Sequence, residues 1–415
     1  MKCFRNTALV SLLAIPLAAA SLQMAKPEDV GLSSERLQRI HQMIQSHIDS
    51  NDVTGAVTLV ARRGRVVHLD AQGVTDLESK KPMPKDAIFR IASMSKPVTG
   101  VAIMMLLEEG KLTLLDPVSK FIPEFKNLKV AVPQPAPASA NGNGRAETPF
   151  YTVPPSREIT IRDLLTHTSG LVSGPISTAE ERKIRRQPNE TLADYIPRLA
   201  STPLEFQPGS RWSYSPLAAF DTLGRIVEVA SGQTFDQFLK VRIFEPLGMT
   251  DTSFYPADAL MPRVVGSYRK TEKGLEPQPN PNFLSSRAYF SGGGGLMSTA
   301  QDYAQFALML ANGGEWNGKR LLSPRTVALM ASVHAPDSLP GQRTGQGFGL
   351  SVRVIQDSVA GDIRVSNGGF GWSGAFGTHF WVDPKEKIAA ILMIQTPIAS
   401  MRPQFENAVM QSIID

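Results

Sequence analysis

Ser93 and Lys96, in Ser93-Met94-Ser95-Lys96, stand three residues apart at the head of a helical pattern. On one turn of helix their side chains rise on the same face, with Cβ atoms about 5 to 6 Å apart. A serine hydroxyl is a weak nucleophile until a base takes its proton, and a lysine amine is a base only while neutral. Moving a lysine about three pH units from its reference pKa of about 10.4 costs roughly 4 kcal/mol of lost ammonium solvation, part of which an apolar wall behind it supplies. A helix N-terminus also aims backbone N–H groups at an anion forming on an acyl carbon attacked by Ser93. The pair suits acyl transfer. Alone, the pattern also fits a capping serine beside a solvated lysine, so other segments decide.

Few other residues compete for the chemistry. Tyr214 follows the turn signal Pro208-Gly209 and by residue type reads as a half-buried loop tyrosine. His167, in His167-Thr168-Ser169-Gly170, has no acidic partner placed by a local motif and reads as a hydrogen-bonded loop residue rather than a base. The run Gly369-Phe370-Gly371-Trp372-Ser373-Gly374 matches a dinucleotide fingerprint by letter. It fails by context, because a strand rather than a helix follows it. A turn that lets a backbone approach a ligand closely accounts better for those glycines. The chain contains no G-x-S-x-G, so a Ser-His-Asp elbow has no anchor. The six histidines form no H-E-x-x-H or other close ligand set, and a metal-free, cofactor-free site is expected.

The elements that must carry these residues follow from periodicity. Val98, Val101, Ala102, Met105 and Leu106 recur at helical spacing, with Gly110 as a stop, so one helix beginning close to Ser93 should bury one face. Leu37, Ile40, Ile44 and Ile48 mark an amphipathic helix over 33–49, and two strands at 55–60 and 65–70 flank a hairpin-sized link. Residues 130–155 hold six prolines and an Asn-Gly-Asn-Gly run and read as irregular. Thr160 with Asp163 looks like a capping pair, and 221–231 and 235–244 as helices broken by Gly232. Strand patterns return at 348–355, 363–365, 378–382 and 387–394, before a closing helix at 402–414. Strands at both ends with helices between imply an α/β lobe split by a helical insertion: a sheet domain from 21–100 and 265–415, and an inserted helical domain at 101–264. The crevice between such lobes is a usual place for a small-molecule site.

Residues 1–20 have the basic start, apolar run and Ala-Ala-Ala ending of a secretory signal peptide, too short to span a membrane. A secreted or periplasmic location is expected. The single cysteine, Cys3, would leave with that leader, so no disulfide is expected. The formal charge of +5 is slight and spread out, and gives nucleic-acid binding no support.

Ser93-Met94-Ser95-Lys96, Tyr214-Ser215 and Trp372-Ser373-Gly374 ahead of a strand, in that order, resemble the serine β-lactamase and penicillin-binding protein superfamily. The phrases LLTHTSGL at 164–171, FEPLGMTDT at 244–252 and GGGGLMST at 292–299 are similar too. The likeness runs nearest to the family VIII carboxylesterases, which look like class C β-lactamases. It implies an α/β (α+β) fold: an antiparallel sheet flanked by N- and C-terminal helices, with the mainly helical domain inserted. It also implies Ser93 as the acylated nucleophile, and Lys96 and Tyr214 as base and proton relay. The backbone N–H groups of Ser93 and Ala375 would form the oxyanion hole, and Trp372, Ser373 and Gly374 would line the substrate. Two positions depart from the class C pattern. Pro216 stands where the tyrosine motif ends in Asn, and Trp372 where a lysine helps hold the substrate carboxylate. Both favour an uncharged small-molecule ester, unless Arg287 or Arg364 replaces the cation. The alternatives are a weak β-lactamase, a D-amino-acid peptidase, or a sensor that is acylated once without turnover. Oligomeric state is not legible.

Overall fold

A computed structural model of the protein describes residues 22–135, 148–278 and 287–415. The expected signal peptide lies outside the described residues. The elements that position the site are, in chain order, α1 (Ser34–Asp49), β1 (Gly55–Arg62), β2 (Arg65–Gly73), α2 (Ser95–Glu108), α3 (Ala218–Ser231) and α4 (Ala300–Ala311). There follow β3 (Gln346–Phe348), β4 (Arg353–Ile355), β5 (Phe370–Ser373), β6 (His379–Asp383), β7 (Ile388–Met393) and α5 (Met401–Met410).

The seven strands form one sheet in the order β3-β4-β5-β6-β7-β1-β2, every pairing antiparallel. β1 pairs along β7, so the first and last strands of the chain close one sheet and everything between residues 73 and 346 leaves it. The β1–β2 link is a two-residue turn in which Arg63 and Gly64 both have positive φ, +53° and +76°. That backbone twist matches the twist of the strands it joins. Period-two alternation divides the sheet into two faces. Ala56, Val60, Trp381 and Leu392 pack with Leu37, Ile40 and Ile44 of α1 and Phe405 and Val409 of α5. Val57, Leu59, Phe380 and Ile391 pack into the larger core with α2 and α4.

α2 departs from the one-sided helix its spacing suggests. Every residue from Ser95 to Leu106 is buried, because α2 lies with α3 on one side and the α4-backed sheet core on the other. A helix covered all round needs no polar stripe. α2 also runs unbroken through residues 100 and 101, where the sequence placed a domain boundary.

Three other segments differ from their sequence reading. The single strand read over 348–355 is instead the end of β3 and the whole of β4, joined through Ser351 at φ +74°. Residues 363–365 are not a strand. The proline-rich excursion carries a ribbon, Val130–Pro133 against Phe150–Val153, whose end strand seats proline at an edge position. Among the described residues no helix is long and apolar enough to cross a membrane.

Candidate active site

Ser93 sits in a single 3-10 turn, Ala92–Met94, that feeds directly into α2. Ala92, immediately before it, holds φ +44°, a left-handed conformation that an alanine adopts only under constraint from its surroundings. Neither Ser93 nor Ser95 caps the helix. Ser95 Oγ instead donates to Ala92 O at 2.7 Å and accepts from the Leu296 N–H at 3.1 Å, tying the turn to the 291–296 loop. Lys96, fully buried on the first turn of α2, donates to Ser93 Oγ at 3.2 Å, to Pro216 O at 2.6 Å and to Gly293 O at 2.7 Å. All three N–H bonds of an ammonium are thereby matched, two of them to carbonyls that can only accept. Tyr214 donates its hydroxyl to Ser93 Oγ at 2.7 Å, and its ring centroid is 4.8 Å from Lys96 Nζ. The three residues that the motifs single out are one hydrogen-bonded group.

Each partner is placed by a specific device. His167 takes φ +58° and its Nδ1 accepts the Ser215 N–H at 3.2 Å, while its carbonyl accepts the Ser213 N–H at 3.0 Å. It clamps the segment carrying Tyr214 from both sides, and its ring lies 4.6 Å from that of Tyr214. Burial, helped by the charge of Lys96, holds its pKa well below the usual histidine range, so it is a neutral scaffold residue. Gly293 lets its loop lie against the start of α3; a Cβ there would come within 2.8 Å of Leu217 Cα. That loop is held by Asp221, whose carboxylate accepts from Ser291 Oγ at 2.7 Å, Gly293 N–H at 2.9 Å and Tyr289 Oη at 2.9 Å. Burial pushes Asp221 up from the usual carboxylate range against those three bonds and the charge of Lys96. Nothing in the sequence pointed to Asp221 except that it is an acid in an otherwise apolar helix stripe.

On the opposite wall, Trp372 in β5 holds its ring 5.6 Å from that of Tyr214, tilted by 45°, and 5.1 Å from that of Phe348, edge to face. The end of β5 presses on the nucleophile turn: Thr378 Oγ1 donates to Ile91 O at 3.2 Å, and a Cβ on Gly374 would stand 2.4 Å from the same oxygen. Only glycine allows that approach. Ala375 is exposed in the turn after β5, beside Gly374. The arginines offered as substitute cations stand apart from the Ser93 group. Arg287 pairs with Asp258 on the surface at 2.9 Å, and Arg364 lines a cavity with Arg353 and Arg402 beside α5. Among the described residues no cluster of three or more His, Cys, Asp or Glu side chains could hold a metal ion.

A family model described as Beta-lactamase matches residues 40–412. The chain belongs to the beta-lactamase family. Esterase EstB of Burkholderia gladioli is 31% identical over 413 residues, spanning 93% of this chain and 96% of that protein. Protein Rv1367c of Mycobacterium tuberculosis (strain ATCC 25618 / H37Rv) is 37% identical over 370 residues, spanning 85% of this chain and 88% of its own. Among solved structures, EstCE1, described as a hydrolase with promiscuous acyltransferase activity, superposes with a TM-score of 0.77 at 30% identity, covering 91% of this chain and 99% of that one. This beta-lactamase family member is a serine hydrolase by fold and by its esterase relatives.

Two buried histidines and the half-buried His68 contribute to its response to acid. Burial lowers His68 to about 4, His167 well below its usual range, and His379 in the same direction despite the carboxylate of Glu406. A group whose folded pKa is lowered binds fewer protons than in the unfolded chain, so its contribution is complete above about pH 6.5 and drains as pH falls below it. At pH 5, His68 alone costs about 2 kcal/mol by this linkage. Asp302, pushed up by burial to about 6, works the other way, so the melting temperature should fall by only about 1 to 3 °C between pH 7 and pH 5, and His68→Gln should lessen the fall. A flat profile by calorimetry would show these rings to be protonated in the fold.

Proposed function

We propose that the protein is a carboxylesterase that cleaves short to medium uncharged acyl esters through a covalent acyl-enzyme on Ser93. The observation that carries this reading is the Ser93–Lys96–Tyr214 group with an indole, rather than a cation, as its opposite wall. In the reactive state the Tyr214–Lys96 pair holds one proton fewer than a phenol with an ammonium, so that as Ser93 Oγ attacks the ester carbonyl carbon its proton passes into the pair. The ester C=O bond becomes a C–O⁻ facing the N–H groups of Ser93 and Ala375, each such donor being worth roughly 3 to 4 kcal/mol at the transition state. The intermediate collapses with loss of the alcohol, which takes the proton back from the pair. Water then repeats the cycle on the acyl-enzyme and releases the acid. EstB, named as an esterase, and EstCE1, named as a hydrolase, support the ester as substrate. The leader-like residues 1–20 favour a secreted or periplasmic enzyme.

Trp372 sets the preference. A lysine there would bond a substrate carboxylate with roughly 1.5 to 3 kcal/mol, about ten- to a hundredfold in affinity. The indole offers apolar area instead. p-Nitrophenyl butyrate should exceed a chromogenic cephalosporin in kcat/KM by at least that factor, and Trp372→Lys should narrow the gap from both sides. Equal turnover of the two substrates would put the β-lactamase reading first. A single burst without steady turnover of the ester would favour the acylated sensor.

A further inference from the structure

We propose that the cavity walled by Asp76, Leu77, Glu78, Arg90, Ser267 and Tyr268 is a binding site for a small monocarboxylate, held by the Arg90 guanidinium. The cavity shares no residue with the Ser93 group, so the proposal stands whether or not esters are the substrate. Phe89 and Arg90 form a two-residue strand against Met297 and Ser298. Strand alternation sends Phe89 into the larger core and Arg90 the other way. The Arg90 backbone is pinned, because its N–H donates to Gln395 Oε1 at 3.2 Å and its carbonyl accepts from Gln395 Nε2 at 3.0 Å. The residue is left only 9% exposed, on the wall of a cavity of about 600 Å³.

What that guanidinium lacks is an acid. One of its five N–H groups, on Nη1, donates to Val265 O at 3.1 Å, and among the described residues the other four meet no acceptor. Burial alone pulls its pKa down, with no opposing charge beside it. A buried cation with neither a carboxylate nor a full set of hydrogen bonds is costly to keep. Ser267 Oγ, in the same wall, is also buried and has no partner. The two oxygens of a carboxylate fit the fork of a guanidinium, and a hydroxyl is a further donor to them.

The acids of the cavity choose the ligand's charge. Half-buried Asp76 is kept ionised by the Ser79 N–H at 2.8 Å and by Tyr268 Oη at 2.8 Å, and Glu78 is exposed. Both repel a second negative charge, which disfavours phosphate and sulfate. Leu77, 40% exposed, offers apolar area to a tail of a few carbons. Butyrate has that shape and a single charge.

Melting by calorimetry in 50 mM sodium butyrate, against 50 mM sodium chloride, tests the site. A dissociation constant of about 1 mM should raise the melting temperature by about 2 to 4 °C. In Arg90→Met, which removes a charge that has no acid partner and keeps an apolar stem, butyrate should do no more than chloride. Glu78→Gln is an exposed change that spares the fold, and its butyrate shift should exceed the parent's. Protein whose Ser93 carries a phosphonate should keep the parent's shift, because the crevice is then filled and this cavity is not. No difference between the two salts, a shift that survives Arg90→Met, a smaller shift in Glu78→Gln, or a shift lost on phosphonate labelling would each overturn the site.

Discussion

Ser93→Ala should lower kcat on p-nitrophenyl butyrate by at least about ten thousandfold, with the melting temperature nearly unchanged. Removing a nucleophile abolishes the covalent path and leaves what binding and oxyanion donors supply. The stability cost is small because Ser93 Oγ accepts from Lys96 and Tyr214, both of which keep other contacts: Lys96 retains Pro216 O and Gly293 O, and Tyr214 its tilted ring contact with Trp372. A serine-directed phosphonate should add its mass to a peptide containing Ser93 and to no peptide of the Ala variant. Labelling at another serine, or full turnover in Ser93→Ala, would remove the assignment.

Lys96→Ala and Tyr214→Phe should each lower kcat by at least about a hundredfold, the scale of general acid–base assistance. They should differ in stability. Tyr214→Phe removes one hydroxyl at the crevice and keeps the ring, so its melting temperature should match the parent. Lys96 is wholly buried, and its loss empties a side-chain volume while leaving the carbonyls of Pro216 and Gly293 without donors. Cavity and unsatisfied acceptors together cost on the order of 3 to 5 kcal/mol. Parent-like turnover in Tyr214→Phe would leave Lys96 as the base by itself, whereas an equally stable Lys96→Ala would contradict the buried placement.

The local chemistry was legible because it is written in short spacings. Ser93 and Lys96 are three apart, and helical geometry alone brings their side chains together. The Thr160–Asp163 capping box and the helix behind Ser33 are likewise short-range patterns, and both form as read. The hairpin β1–β2 is announced by Arg-Arg-Gly between two apolar runs. Where pattern and structure part, tertiary contact is the reason. A single apolar run at 348–355 splits into β3 and β4 because Ser351 turns the chain, and the ribbon of 130–133 with 150–153 forms despite its prolines because each strand has the other as a partner.

From its sequence alone this protein reads as an α/β chain with a Ser-x-x-Lys pattern, a tyrosine and a glycine-rich strand end, and hence a resemblance to a family of acyl-transferring enzymes. What periodicity cannot reach is anything joined by residues far apart in the chain. That Tyr214 meets Ser93 across 121 positions depends on the clamp of His167 and on the cap that Ser215 Oγ gives the Ala219 N–H. That Lys96 finds carbonyls at 216 and 293, and that Asp221 holds the second of these, are consequences of packing one helix between two layers. A buried polar group must find its partner wherever the fold provides one, and that partner has no fixed distance along the chain.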